Sequence, residues 1–188
     1  MSKVIRIATV NLAKGELRWE ERATLLMEQL AALRPDIVGF QEVDLRIDQG
    51  NWLYRRFNDL VGYESGRDLN YESGGDPQYR MYHMANPRDR VAVEALGILT
   101  HLPVIAHEGF DYLFRNRVAH YVRVELAGSS LDFYNTHLHH EQDPVGNEVR
   151  MEQAERLVRW MDRHGWGNTE GSRRRFQLAA RNASDSPR

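Results

Sequence analysis

The sequence predicts an α/β (α+β) domain, and three observations carry that prediction. An apolar strand, an amphipathic helix and a second apolar strand open the chain. Five closely spaced strand-like runs follow, and an amphipathic helix with a charged outer face closes the ordered part. A strand-helix-strand opening puts two parallel strands side by side, whereas short connections between later strands favour antiparallel pairing.

Residues Val4 to Leu12 place apolar and β-branched side chains on both faces, as a buried strand does. From Trp19 to Leu33 the residues Ala23, Leu26, Met27, Leu30 and Leu33 recur at helical spacing, and Pro35 forbids continuation. Ile37 to Gln41 forms the next strand, and a second helix is expected around Asn51 to Val61. Gly62 to Pro77 has no period and reads as a surface loop, whose Tyr63 and Tyr71, with Tyr79 and Tyr82 beyond it, offer rings to stack on a base or to pack the loop down. The later strands are Tyr79 to Met84, Ala95 to Thr100, Val104 to Gly109, Val118 to Leu126 and Leu131 to Leu138, with a hairpin turn at Gly128-Ser129-Ser130. The closing helix, about Glu148 to Arg163, is expected to bury Met151, Ala154, Leu157, Val158 and Met161.

At 188 residues, 41% hydrophobic and 28% charged, the chain suits one globular domain and excludes disorder and low complexity. Its net charge of −2 argues against a general positive field as the grip on nucleic acid or membrane. The absence of cysteine removes thiol catalysis, disulfides and cysteine-ligated metals, and suits a reducing compartment. A start of Met1-Ser2-Lys3-Val4-Ile5-Arg6, with no apolar stretch of spanning length, gives the expectation of a cytoplasmic protein. The sequon Asn182-Ala183-Ser184 then carries no meaning.

Three places offer chemistry. Asn11 ends the opening strand, and Glu42 follows the second, where a carboxylate suits a hard cation such as Mg²⁺. Asn135 and His137 share one strand face with Leu131 and Phe133, so a buried polar pair there demands hydrogen-bond partners. The run His137, His139, His140, Glu141 is a poor zinc site, because successive strand residues point to opposite faces and no cysteine or distant histidine pair completes a tetrahedron.

Taken in order, Thr9-Val10-Asn11-Leu12, Pro35 to Val43 with Gln41-Glu42, Ala95 to Val104, Asn135-Thr136-His137-Leu138, and Arg150 with Gln153 resemble the endonuclease/exonuclease/phosphatase superfamily, the DNase I-like metal-dependent phosphodiesterases. The resemblance covers about Lys3 to Arg163. It implies a four-layer α/β sandwich of two mixed β-sheets flanked by helices, with Mg²⁺ (or Mn²⁺) held by Glu42 and its neighbour Asn11. It implies catalytic roles for His137, on the phosphate, and for Asn135. The substrate class implied is a phosphoester of unspecified carrier.

Two departures stand out. His101 follows Thr100 where the family commonly has arginine, and neither a Gly-Asp-Phe-Asn nor a Ser-Asp-His motif follows the last helix. The expected organisation is therefore an incomplete family-like domain over 1–165 and an aberrant tail over 166–188, disordered or out of frame, with five arginines and no period. Reading Arg174-Arg175-Phe176-Gln177-Leu178 as CGG-CGA-TTT-CAA-CTN and shifting one nucleotide gives GGC-GAT-TTC-AAC, which spells the missing Gly-Asp-Phe-Asn. As translated, the chain is expected to be marginally folded and inactive or nearly so. The alternative function is a non-catalytic binding or regulatory module that keeps the fold, and a nucleic-acid role for Arg173-Arg174-Arg175 is the weakest of the three.

Overall fold

A computed structural model describes residues 4–16, 18–62, 78–88 and 91–166. The elements are β1 (Ile7–Asn11), α1 (Trp19–Leu33), β2 (Ile37–Asp44), α2 (Gln49–Val61), β3 (Arg80–Ala85), β4 (Glu94–Thr100), β5 (Val104–Asp111), β6 (Val118–Leu126), β7 (Ser129–Thr136) and α3 (Pro144–Met161), which ends in a wider turn over Asp162–Trp166. The expected loop over 62–77 lies outside the described residues beyond Gly62, as does the tail from 167.

Two sheets stack face to face between helices. The first has the order β1-β2-β4-β3, parallel only between β1 and β2, and the second is the antiparallel series β5-β6-β7. Layering follows from which side chains are apolar on which face. Met27 and Leu30 of α1, with Leu53 and Phe57 of α2, pack on Val38, Phe40, Val43 and Leu99. The opposite face of that sheet gives Ile37 and Ile98 to a middle layer with Val122, Val124 and Phe133. The outer face of the second sheet meets α3 through an aromatic group in which Trp160 stacks on Phe110 at 5.2 Å between centroids and stands edge-on to Tyr121 and Tyr134. This is the four-layer α+β sandwich that the resemblance implied. Among the described residues no helix is long and apolar enough to cross a membrane.

The sequence misplaced three details. α3 buries Gly146, Gln153 and Trp160, while Met151 and Val158 are exposed, so the helix is rotated from its expected face. Its orientation is set by polar and aromatic anchors: Gln153 accepts a hydrogen bond from the His139 amide, and Trp160 fills the aromatic layer. β1 is half-exposed rather than buried on both faces, because among the described residues it is an edge strand paired only with β2. The β6–β7 turn sits at Ala127-Gly128, with Leu126 opposite Ser129 and Gly128 at φ +79°, a conformation natural to glycine. Of the two uses open to Tyr79, packing is the one found: it is buried and its hydroxyl donates to the Pro35 carbonyl.

The middle layer contains a buried imidazole, His120, paired with the exposed His107 on the neighbouring strand β5. His107 Nε2 and His120 Nε2 lie 2.7 Å apart, and His120 is fully buried with Nδ1 unpartnered. Burial first, and then the neighbouring His107 and His83, push the His120 pKa down to about 3. The folded state therefore favours neutral His120, and the unfolded chain takes up the proton first as pH falls. Stability is fully present above about pH 6.5 and falls by about 1.4 kcal/mol per pH unit for this group below it. Thermal unfolding should show a falling Tm between pH 6.5 and 5, and His120→Phe should flatten that slope; equal slopes in the two proteins would refute the role of His120.

Candidate metal and phosphate site

One end of the sandwich collects the C-terminal ends of β1, β2, β3 and β7 and the N-terminal ends of β4 and β6. The decisive local feature is a bulge in β2. Pairing with β4 runs from Ile37↔Thr100 to Phe40↔Gly97, then shifts before Val43↔Ala95. Within the shift Glu42 adopts φ +55°, a left-handed conformation that costs a non-glycine residue about 1–3 kcal/mol. Such a bulge re-aims a side chain. Here it brings the Glu42 carboxylate to the site end, where Oε1 accepts from Asn11 Nδ2 at 3.2 Å.

The loop after β1 is strapped beside it. Lys14 N donates to the Glu42 carbonyl, Gln49 Nε2 to the Lys14 carbonyl, and Gly15 N to Asp44. Asp44 is buried, and its hydrogen bond from Arg46 holds its pKa down at about 2, so it accepts these bonds as a carboxylate.

Asn135 lies in the middle layer next to the bulge. Its Nδ2 donates to the carbonyls of Phe40 (2.8 Å) and Gly97 (3.0 Å), and its Oδ1 accepts from Gln41 Nε2 at 2.6 Å. Gln41 Nε2 also reaches Thr9 Oγ1 at 3.0 Å. One side chain on β7 thus joins β2, β4 and, through Gln41, β1. Both of its amide hydrogens and its oxygen are engaged, which makes it a positioning group.

Two residues further, His137 meets Arg117 from the start of β6. Arg117 Nη1 is 2.9 Å from Glu94 Oε1 and 3.1 Å from His137 Nδ1, and Nη2 is 3.5 Å from His140 Nδ1. A guanidinium can only donate, so His137 Nδ1 must be the bare acceptor and the proton of the neutral ring sits on Nε2. Burial, and then the Arg117 charge, lower the His137 pKa, so the neutral ring is the resting form. His137 Nδ1 is also 3.7 Å from Glu42 Oε1. With that nitrogen unprotonated it offers the carboxylate no ion pair.

The remaining candidates sort by contact. Gln153, His139 and Arg150 build the loop behind His137: His139 is buried with Nε2 2.8 Å from Glu141 Oε2, and Arg150 donates to the His139 and Glu141 carbonyls and to Asn147. His101 pairs with Asp36 at 3.1 Å, near the start of β2 and away from the site. Glu94, Lys14 and Arg117 were not singled out in the sequence. Lys14 Nζ lies 3.2 Å from Glu94 Oε2, which completes a cation-carboxylate-cation chain. Single charges next to strand ends read as solvated in a sequence, and nothing in the order of residues announces that these three meet.

A hard cation fits this site. Among the described residues Glu42 has no Lys or Arg partner and is only half-buried, and a Mg²⁺-type ion needs one or two carboxylates with waters filling the rest of its shell. Asn11 as found here orients that carboxylate through Nδ2, while its Oδ1 accepts from the Ala13 amide at 2.9 Å. Glu42→Gln keeps the size and removes the charge. In a fluorimetric titration Mg²⁺ should raise the Tm of the wild-type chain and leave that of Glu42→Gln unchanged; an equal response in both would remove Glu42 as the ligand.

A sequence profile described as the Endonuclease/Exonuclease/phosphatase family matches residues 8–186. No curated protein sequence matches the chain. Among solved structures, it is similar to a mannosyl-6-phosphatase of Bacteroides thetaiotaomicron (TM-score 0.63, 15% identity, covering 88% of this chain and 61% of that one). It is also similar to TDP2 of D. rerio in complex with a single-strand DNA product (TM-score 0.61, 17% identity, 86% and 56% coverage). A third is an endonuclease/exonuclease/phosphatase family protein of Leptotrichia buccalis (TM-score 0.61, 14% identity, 83% and 61% coverage). At these identities the likeness establishes the fold. The chain spans 56% to 61% of the length of these three proteins.

Proposed function

This chain belongs to the endonuclease/exonuclease/phosphatase family, and we propose that its site binds a divalent cation at Glu42, with Mg²⁺ the first candidate and Mn²⁺ the second, and a phosphoester beside it, as a metal-dependent phosphoester hydrolase does. The observation that carries the reading is the pairing of a carboxylate free of cationic partners among the described residues with a neutral histidine whose proton is fixed on Nε2 by Arg117.

When bound, the cation would supply Lewis-acid polarisation of a phosphoryl oxygen and a more acidic bound water. Glu42 would hold it, with Asn11 steadying the carboxylate. His137 presents Nε2–H as a hydrogen-bond donor to a phosphoryl oxygen, and Arg117 keeps it in that tautomer while adding positive charge where negative charge accumulates. A carboxylate at Nδ1 would instead leave Nε2 bare as a base. The arginine makes His137 a donor.

The reading includes low turnover. Among the described residues near His137, Glu94 is taken by Lys14 and Arg117, and no further carboxylate stands ready to activate water. The similar structures, a mannosyl-6-phosphatase and a complex with a single-strand DNA product, both concern phosphate-bearing molecules and differ in the carrier. The substrate is therefore proposed only as a phosphoester.

Hydrolysis of bis(p-nitrophenyl) phosphate, with and without Mg²⁺, tests the reading. A slow rate is expected that requires Mg²⁺ and is lost in Glu42→Gln. His137→Ala should reduce it about 10²–10³-fold, the usual loss for one preorganised donor, at unchanged Mg²⁺ affinity. Mg²⁺ binding without any hydrolysis would favour the alternative of a binding module, and no response to Mg²⁺ at all would overturn the reading.

A further inference from the structure

At the end of β3 the side chain of Asn86 is 94% buried, at 6% relative exposure. Its Oδ1 accepts from the Arg88 amide at 2.9 Å, and that bond fixes which end of the amide is which. The NH₂ end is left with no partner. A buried donor without an acceptor is unfavourable and is rare in folded proteins. Asn86 lines a cavity of about 20 Å³ together with Glu42, Glu94, Asn116, Arg117 and His137.

Arg117 has spare donors as well. Its Nη1 hydrogens go to Glu94 and His137, and one Nη2 hydrogen approaches His140 at the limit of bonding distance, which leaves Nε–H and the second Nη2 hydrogen without partners among the described residues. The unsatisfied Asn86 donor and the Arg117 guanidinium line one cavity and are complementary to an oxygen acceptor, and the Arg117 charge favours an anionic one. The volume admits one oxygen atom. A cation is the wrong occupant for an NH₂ group, and the cavity adjoins the carboxylate proposed to hold the metal.

We propose that Asn86 is a substrate-positioning residue that, with Arg117, seats one non-bridging phosphoryl oxygen next to Glu42. This builds on the metal and phosphoester site proposed above and adds a group that the sequence did not single out. The seated oxygen is terminal, so the contact orients the phosphoryl group and leaves its carrier to other parts of the surface.

Inorganic phosphate is the probe, titrated calorimetrically into the full chain with saturating Mg²⁺, alongside a separate titration of Mg²⁺ alone. Asn86→Asp keeps the acceptor for the Arg88 amide and replaces the donor with a carboxylate oxygen; it should weaken phosphate at least tenfold without weakening Mg²⁺. Asn86→Ala removes the donor without adding charge and should weaken phosphate to a similar degree, again at wild-type Mg²⁺ affinity. If both variants bind phosphate within twofold of wild type, the assignment fails while the proposed function stands. Parallel loss of phosphate and Mg²⁺ affinity in Asn86→Ala would make Asn86 a structural residue and overturn it. A wild-type chain that binds Mg²⁺ and no phosphate would remove both this assignment and the phosphoester site.

Discussion

The side-chain amide of Asn135 is the interaction on which the site depends. It crosses from β7 to the carbonyls of Phe40 and Gly97 at the edge of the β2 bulge and accepts from Gln41, so one residue fixes the spacing of the two sheets where the bulge begins. Gly39 makes the approach possible: a Cβ there would stand 3.2 Å from Asn135 Cγ and 3.1 Å from Phe133 Cζ. The left-handed turn at Glu42 is unfavourable by itself and persists where surrounding contacts over-determine it. Asn135 on one side, and the straps from Lys14 and Gln49 on the other, supply those contacts. The same strand that carries Asn135 delivers His137 two residues later, so the carboxylate and the imidazole share one support.

Electrostatics then divide the labour between two neighbouring carboxylates. Glu94 lies between Lys14 and Arg117 and serves as an anchor for cations, whereas Glu42, among the described residues, pairs with no Lys or Arg, accepts from the Asn11 amide and keeps its charge available. The same Arg117 decides the tautomer of His137. Burial of His137 and the adjacent guanidinium both disfavour the imidazolium, so the ring donates a hydrogen bond from a neutral state.

Much of this was legible in the sequence, for definite physical reasons. Helix α1 was read to its exact ends because its apolar period is regular and Pro35 stops it. The parallel start and the antiparallel series followed from connection lengths, and Asn135 was recognised as a buried polar group that must find partners. The face of α3 is not legible from its apolar residues, because Gln153 and Gly146, which are buried, look like surface residues by type. The bulge at Glu42 has no sequence mark, since neither glycine nor a turn residue stands there. Arg117, Glu94 and Asn86 were missed because their meaning lies in meeting one another across the sandwich: Arg117 and Glu94 are 23 residues apart and His137 is 20 further on.

The most direct measurement is the Mg²⁺ affinity of Asn135→Ala, compared with that of Phe133→Leu, a change on the same strand face without a polar role. Both substitutions should lower the Tm. If Asn135 holds the bulge that aims Glu42, Mg²⁺ should bind at least tenfold more weakly to Asn135→Ala and with wild-type affinity to Phe133→Leu. Wild-type Mg²⁺ affinity in a destabilised Asn135→Ala would contradict the dependence of the site on this one amide.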